Sequence, residues 1–156
     1  MTRYVRVWRV VKAKFKDSAF RGVGSKKFGG RWNSAGAPVV YCSASLPLAV
    51  LELLVHIKRN DALAHYVAFP VDIPEKKIER LAARLPRGWE KYPYRRETIR
   101  LGDAWLKEAR SPALSVPSAL LASEHNILIN PLHPDFRLVK VRRPEPVRID
   151  KRLKVS

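Results

Sequence analysis

Apolar and polar residues change their spacing along this chain of 156 residues, from strict alternation to helical periodicity and back. Residues 3–10 alternate basic with apolar or aromatic side chains, which is typical of a strand with one buried face. By the same criteria we predict these further elements: strands at 37–43, 64–72, 113–116, 127–129 and 136–141, and helices at 46–59, 75–85 and 97–110. Because they form no regular strand–helix–strand repeat, the pattern favours a single α+β domain.

One carboxylate interrupts the predicted helix at 46–59. Glu52 lies within an otherwise apolar run, and burying a carboxylate without a partner carries a large free-energy cost. On a helical wheel it shares a narrow polar stripe with Ser45, a predicted N-cap, and with His56 and Arg59. The stripe is compatible with a solvent-facing edge, where Glu52 pairs with His56, and with the wall of a cleft. Helical geometry leaves these two interpretations equal.

A glycine-rich loop is predicted at 17–36, and loops of this length in compact domains are usually functional. Its Gly29-Gly30-Arg31 segment lets the backbone approach a ligand closely and offers a guanidinium fork to a phosphate or carboxylate. The bare pattern is nevertheless more typical of a turn with a surface arginine. On the next strand, alternation places Tyr41 on the same face as Val39, where core packing is favoured over stacking on a ligand ring.

Ser118 follows a predicted strand and is expected to cap a helix beginning at Ala119. A serine hydrolase or ribonuclease would require Ser118 or a histidine to be indispensable. The nucleophile motif Gly-x-Ser-x-Gly is missing from the sequence, which gives this interpretation little support. Cys42 is the single cysteine, and the four histidines lack metal-ligand spacing, so we expect neither an internal disulfide nor a metal site.

The chain carries a formal net charge of +17. Residues 1–51 hold ten Lys or Arg against one acidic residue, whereas residues 52–156 hold 21 against 13. Such a field attracts nucleic acid, phosphorylated small molecules or acidic proteins without choosing among them. A basic nucleic-acid-binding protein without enzymatic activity is therefore one interpretation, although we find no helix-turn-helix or RNA-binding aromatic motif. Neither a signal peptide nor a membrane-spanning run is recognised, so we expect a cytoplasmic protein.

Several motifs that are weak one by one occur together in an order and spacing that resemble the RES domain family. They are Gly29-Gly30-Arg31-Trp32-Asn33, Gly36, Tyr41, Ala49, Glu52, Gly102-Asp103-Ala104-Trp105-Leu106, Val116-Pro117-Ser118 and Asn126-Ile127-Leu128-Ile129-Asn130-Pro131-Leu132-His133-Pro134-Asp135-Phe136. The family is named after an arginine, a glutamate and a serine, which here fall on Arg31, Glu52 and Ser118. The resemblance places a RES domain at 1–141, followed by a basic tail at 142–156 that we expect to be peripheral.

The resemblance implies a fold and an activity. The fold would be similar to ADP-ribosyltransferase toxins, with mixed or antiparallel sheets and flanking helices. The protein would be the toxin of a bacterial toxin–antitoxin pair that consumes NAD as substrate and releases nicotinamide, with inorganic phosphate, water or a protein as acceptor. Its partner would be an Xre-type helix-turn-helix antitoxin that blocks the active site, so that DNA is contacted only indirectly.

The resemblance also assigns roles to residues. Arg31, Glu52 and Ser118 would be catalytic, and Arg9, Arg31 and Tyr41 would bind substrate. One position departs from the family pattern, because Ile127 stands where a tyrosine is expected.

Overall fold

The computed structural model describes residues 1–57 and 65–153. Its strands are β1 (Tyr4–Lys12), β2 (Val40–Ser43), β3 (Tyr66–Pro74), β4 (Ile78–Arg80), β5 (Ala113–Pro117), β6 (His125–Ile129), β7 (Lys140–Val141) and β8 (Glu145–Val147). Its α-helices are α1 (Val23–Phe28), α2 (Leu46–Leu54) and α3 (Arg96–Glu108). The strands form one sheet in the order β4-β5-β6-β2-β1-β3-β7, and β8 also pairs with β3. The β4–β5 pair is parallel and the other pairs are antiparallel, which confirms the predicted α+β class with a mixed sheet.

Strand alternation divides the core between the two faces of the sheet. In β2, Val40 and Cys42 belong to one apolar cluster, whereas Val39 packs in the other with Tyr41 beside it. This is the arrangement that the alternating sequence predicts. The second cluster combines two tryptophans with apolar strand residues: Trp32, Val39, Trp105, Leu114, Val116 and Leu128. Because Trp105 lies on α3, this cluster holds that helix against the sheet.

Helix α2 begins as the sequence predicts and ends earlier. The Ser45 hydroxyl accepts the backbone N–H of Leu48, and a proline occupies the first turn, where a missing N–H costs nothing. The predicted end near residue 59 is wrong, because α2 stops at Leu54. The N–H groups of His56 and Ile57 donate three residues back, to Leu53 and Leu54, which tightens the last turn. Residues 58–64 lie outside the described part of the chain.

Three other local predictions are corrected by the structure. The helix predicted at 75–85 is a 3₁₀ turn, Glu75–Lys77, followed by β4, because the edge of β5 supplies partners for that backbone. The strand predicted at 136–141 is instead a 3₁₀ turn, Pro134–Leu138, followed by the short strand β7. The loop at 17–36 contains the short helix α1. The helix predicted at 97–110 is confirmed as α3.

The segment after residue 141, expected to be a peripheral tail, is bonded to the sheet through both backbone and side chains. Residues 145–147 form β8 on the edge of β3, and Arg142 donates its Nε–H to Asp72 at 2.9 Å. Arg6 binds the same carboxylate with two hydrogen bonds of 2.8 and 3.0 Å. These two arginines, Arg6 above all, hold the pKa of Asp72 at about 2, below its ordinary value.

Candidate active site

A cavity of about 730 Å³ opens beside the central strands of the sheet. Four of the five residues predicted for the site, Arg9, Arg31, Tyr41 and Glu52, line its wall. Ser118, the fifth, is 1% exposed and contacts the cavity only through Glu52. Segments that lie far apart in the sequence therefore converge here: β1, the glycine-rich loop, β2, α2, the loop around Tyr92 and the end of β5.

Glu52 is held by two side-chain donors and is not paired with His56. The Ser118 hydroxyl donates to Glu52 Oε1 at 2.7 Å, and the Asn126 amide donates to the same oxygen at 2.6 Å. No residue in the described ranges donates a hydrogen bond to the second oxygen, Oε2. The polar stripe of α2 therefore faces the cleft, which decides between the two interpretations left open by the sequence.

The local structure around Ser118 fixes the direction of its hydrogen bond. Its hydroxyl oxygen accepts the N–H groups of Leu120 and Leu121 at 3.1 and 3.3 Å. The hydroxyl hydrogen is thus left for Glu52. The predicted helix after Ser118 is wrong: the cap-like hydrogen bonds form, but the chain turns and continues to β6.

Asn126 is a site residue to which the sequence analysis assigned no role. It lies on β6 directly opposite Ser43 of β2, and the Ser43 hydroxyl donates to Asn126 Oδ1 at 2.7 Å. A polar residue at the start of an otherwise buried apolar strand was the available signal. Its neighbour Ile127, which departs from the family pattern, packs on the other face of the sheet in the first core cluster.

Backbone carbonyl groups orient the Arg31 side chain. Its Nη1 donates to the carbonyl oxygens of Trp89 and Lys91 at 2.9 and 3.0 Å, and the guanidinium carbon lies 4.9 Å from the centre of the Tyr94 ring. Within residues 1–57 and 65–153, Nε and Nη2 of Arg31 make no hydrogen bond. The guanidinium is therefore fixed in place while two of its nitrogens stay free to bind an anion.

Helix α3 clamps the loop that carries Arg31. Thr98 donates its hydroxyl to the Arg31 carbonyl oxygen at 2.7 Å, and Asp103 accepts both the N–H and the hydroxyl of Ser34 at 2.9 and 2.7 Å. Between them, Gly102 lies so close to the Trp32 carbonyl that a Cβ atom would overlap it. The helix therefore requires glycine at this position and holds residues 31–34 through three successive contacts.

Arg9 reaches the cavity from β1. Its Nε and Nη1 donate to the carbonyl oxygens of Ala19 and Tyr41 at 2.6 and 2.8 Å. Burial lowers the pKa of the Arg9 guanidinium, which is the effect expected when a cation loses water. No carboxylate of the described residues forms an ion pair with it. Its charge consequently favours an anionic ligand in the cavity.

Tyr41 contributes its ring to the cavity wall, but its hydroxyl is occupied. The hydroxyl donates to Asn33 Oδ1 at 2.6 Å and accepts the Trp32 N–H at 3.3 Å. Burial raises the pKa of this phenol well above its ordinary value, so it remains protonated.

Among the described residues, no group of His, Cys, Asp and Glu is arranged to hold a metal ion, and no helix is long and apolar enough to cross a membrane.

This fold and site define a small α+β protein whose cleft is lined by two arginines and by the carboxylates of Glu52 and Glu90, and comparison with known proteins shows its family. The chain belongs to the RES domain family, whose model matches residues 6–150. It is 37% identical over 131 residues to Toxin Res of Photorhabdus laumondii, covering 83% of this chain and 84% of that protein. It is 32% identical over 142 residues to the Prs ADP-ribosylating toxin of a Sphingobium species, covering 87% and 88%.

The fold also matches a solved structure. The crystal structure of the M. tuberculosis MbcT–MbcA toxin–antitoxin complex contains a chain that superposes with a TM-score of 0.70 at 16% identity. The superposition covers 94% of this chain and 86% of the other. At this identity the likeness establishes a shared fold. The family match also extends past residue 141 and includes β8.

Proposed function

We propose that this protein is the toxin of a bacterial toxin–antitoxin pair and that it consumes NAD by cleaving the bond between nicotinamide and ribose. The observation that carries the proposal is the Glu52 carboxylate beside a cavity of about 730 Å³: it is held through Oε1, and Oε2 accepts no hydrogen bond from the described residues. The relatives named as toxins, one of them ADP-ribosylating, support the same class of activity.

A single carboxylate is sufficient for this reaction. Nicotinamide leaves from a cationic pyridinium, so the leaving group needs no proton and no general acid, unlike the leaving groups of glycosidases, which use two carboxyl groups. Oε2 of Glu52 accepts a hydrogen bond from a ribose hydroxyl, and its charge stabilises the oxocarbenium-like transition state. Such stabilisation is strong where donors are already oriented and water is displaced.

The other residues bind and orient NAD. Arg31 offers Nε and Nη2, which make no hydrogen bond among the described residues, to the pyrophosphate, and Arg9 adds positive charge from β1. The Tyr41 ring stacks beside the nicotinamide ribose, since its hydroxyl is already bonded to Asn33. Ser118, whose hydroxyl is fully used, acts by holding Glu52 and does not contact nicotinamide.

The acceptor of the ADP-ribose is inorganic phosphate, water or a protein side chain, all of which suit an activated ribose that is open to solvent. The partner is an Xre-type antitoxin that covers the cavity, and its acidic surface meets the positive field of the chain. A partner that is basic across its contact surface would contradict this part of the proposal.

The test is to incubate the purified protein with NAD, with and without inorganic phosphate, and to follow nicotinamide and the ADP-ribose product by mass spectrometry. Glu52→Gln should slow nicotinamide release by about 10²- to 10³-fold. Glu124→Gln is the matched control, because Glu124 is exposed and does not line the cavity. Absence of nicotinamide with the unmodified protein in both conditions would refute the proposed activity, and wild-type release by Glu52→Gln would refute the role of Glu52.

A further inference from the structure

Ser43 and Asn126 form a hydrogen-bonded pair next to Glu52 in the cavity lining. They are opposite residues in the β2–β6 ladder, so the register of the sheet brings them together. Ser43 is 4% exposed, and its hydroxyl donates to Asn126 Oδ1 at 2.7 Å. Asn126 Nδ2 then donates to Glu52 Oε1 at 2.6 Å. The two strands thereby connect a buried hydroxyl to the carboxylate through one amide.

Only one direction of this chain of hydrogen bonds is chemically sound. An ionised carboxylate accepts hydrogen bonds and cannot donate them, so the NH₂ group of Asn126 must face Glu52. Its carbonyl oxygen consequently faces Ser43, and the hydroxyl must donate to it. The reversed amide would place two acceptors about 2.6 Å apart, which is strongly repulsive. Glu52 therefore sets the direction of the Asn126 amide, and the Ser43 hydroxyl holds the amide in that position.

We infer that Ser43 and Asn126 are positioning residues that determine which oxygen of Glu52 is presented to the substrate. Together with Ser118, the Asn126 amide occupies Oε1 and fixes the plane of the carboxylate. Oε2 is left as the oxygen that meets the ribose hydroxyl. The inference rests on the proposed function for its kinetic consequences, whereas its geometric content can be tested without NAD.

Replacing Ser43 tests its hold on the amide. In Ser43→Ala, the Asn126 carbonyl oxygen loses its hydrogen-bond donor, so the amide is held less rigidly and positions Glu52 less precisely. We expect kcat for nicotinamide release to fall about three- to tenfold, the worth of one neutral hydrogen bond. KM for NAD should stay within about twofold, because ground-state contacts are unchanged.

Ser111→Ala is the matched control for Ser43→Ala. The Ser111 hydroxyl is likewise hydrogen-bonded within the fold, accepting the Trp105 indole N–H at 3.0 Å and donating to the Ala113 carbonyl oxygen at 2.8 Å. It does not line the cavity. We expect both variants to be destabilised and only Ser43→Ala to lose kcat. Equal kcat losses in the two variants, or a change confined to KM, would overturn the inference.

Asn126→Asp gives a signature that a purely structural role would not produce. The carboxyl group introduced by this substitution can still donate to Glu52 while it is protonated, whereas its ionised form repels Glu52. Relative to the unmodified protein, kcat of Asn126→Asp should therefore decline as pH rises between about 5 and 8, through the upper ionisation of the carboxyl pair. Asn126→Leu, which cannot ionise, should lose kcat by a constant factor across this range. A constant ratio for Asn126→Asp as well would refute the role of the amide.

A readout without substrate separates this inference from the proposed function. In the NMR spectrum of the protein without NAD, the Asn126 amide proton bonded to Glu52 should lie downfield and exchange slowly. Ser43→Ala and Glu52→Gln should each shift this signal, and Ser111→Ala should not. If these shifts occur while no nicotinamide is released, the positioning pair is supported and the proposed function is refuted. If Ser43→Ala leaves the signal unchanged, the positioning pair is refuted whatever the turnover.

Discussion

Two sets of residues at the cavity are held by different kinds of contact. In the first set, which we call the carboxylate wall (Glu52, Ser118, Asn126 and Ser43), side-chain donors hold the functional group. In the second set, the arginine wall (Arg9 and Arg31), backbone carbonyl oxygens hold the guanidinium groups. Each group thus meets the partner that its hydrogen-bonding chemistry requires, and among the described residues neither charge is paired with an opposite one.

This difference explains how both signs of charge remain available within one cleft. A carboxylate partner would hold an arginine equally well, but it would cancel the charge that an anionic ligand needs. Carbonyl oxygens accept the N–H groups and leave the net charge intact. Neutral hydroxyl and amide donors likewise hold Glu52 in place and leave its negative charge intact. The comparison predicts that the two walls can be damaged separately, the carboxylate wall through kcat and the arginine wall through KM.

The largest effect is expected from Gly102→Ala, which attacks the arginine wall through its support. A Cβ at this position overlaps the Trp32 carbonyl, so α3 must move away from the loop. We expect a loss of about 3 kcal/mol in the free energy of unfolding, measured by urea denaturation, and a marked rise in KM for NAD. Gly24→Ala is the control, because its Cβ meets no atom within 4 Å. Equal stability of the two variants would contradict the clamp.

Ser118→Ala should damage the carboxylate wall nearly as much. It removes one donor to Glu52 and leaves the N–H groups of Leu120 and Leu121 without their acceptor. We expect kcat for nicotinamide release to fall about 10²-fold with little change in KM. Ser115→Ala is the control. Ser115 lies on β5, the strand that ends just before Ser118, and makes no side-chain hydrogen bond within the described residues, so this variant should behave as the unmodified protein. A rise in KM without a loss of kcat would break the distinction between the walls.

A gentler change to the arginine wall is Thr98→Val, which keeps the shape of a buried side chain and removes its hydrogen bond to the Arg31 carbonyl. We expect a loss of about 1 kcal/mol in stability and a severalfold rise in KM, with kcat nearly unchanged. Thr98→Ser retains the hydroxyl and should preserve the KM. Steady-state kinetics with NAD distinguishes these results, and an effect on kcat alone would be contrary to the comparison.

The smallest expected effect is on the stability of the sheet, through Asp72 on β3. The pKa of Asp72 is about 2, lowered from 3.8 by Arg6 and Arg142. The stabilisation is therefore complete above pH 4 and is lost as pH falls towards 2, because the unfolded chain binds the proton first. Because the two arginines are half-exposed, we expect the free energy of unfolding, measured by urea denaturation, to fall by only about 1 kcal/mol as the pH is lowered from about 4 to about 2. Asp72→Asn should flatten this pH dependence, and an unchanged slope would exclude the Asp72 network as its source.

The sequence predicts the parts of the fold whose signal is local. The alternation in β2 places Tyr41 and Val39 on one face, and Ser45 with the following proline marks the start of α2. Residues 75–85 have a helical pattern and yet form β4, because the open edge of β5 lies about 35 residues further along the chain and only the folded sheet brings it close. Local periodicity contains no information about such partners.

The site residues likewise differ in whether the sequence alone could identify them. Arg31, Glu52 and Ser118 were identified together through the family resemblance, and the spacing of each alone left equal or better alternatives. The Asn126–Glu52 contact joins residues 74 positions apart, and the Ser43–Asn126 contact joins residues 83 apart. Both depend on the register of β2 against β6. Sequence patterns could mark Asn126 as an unusual polar residue, but they could not show which carboxylate it contacts.

The outer strands of the sheet also limit how copies of this protein can pair edge to edge. Within residues 1–57 and 65–153, the sheet ends in β4 on one side and in β7 and β8 on the other, each of two or three residues. A neighbouring chain would find only a few consecutive backbone groups to pair with. The charge of +17 adds mutual repulsion. The fold therefore resists edge-to-edge aggregation, even when many copies accumulate without a partner.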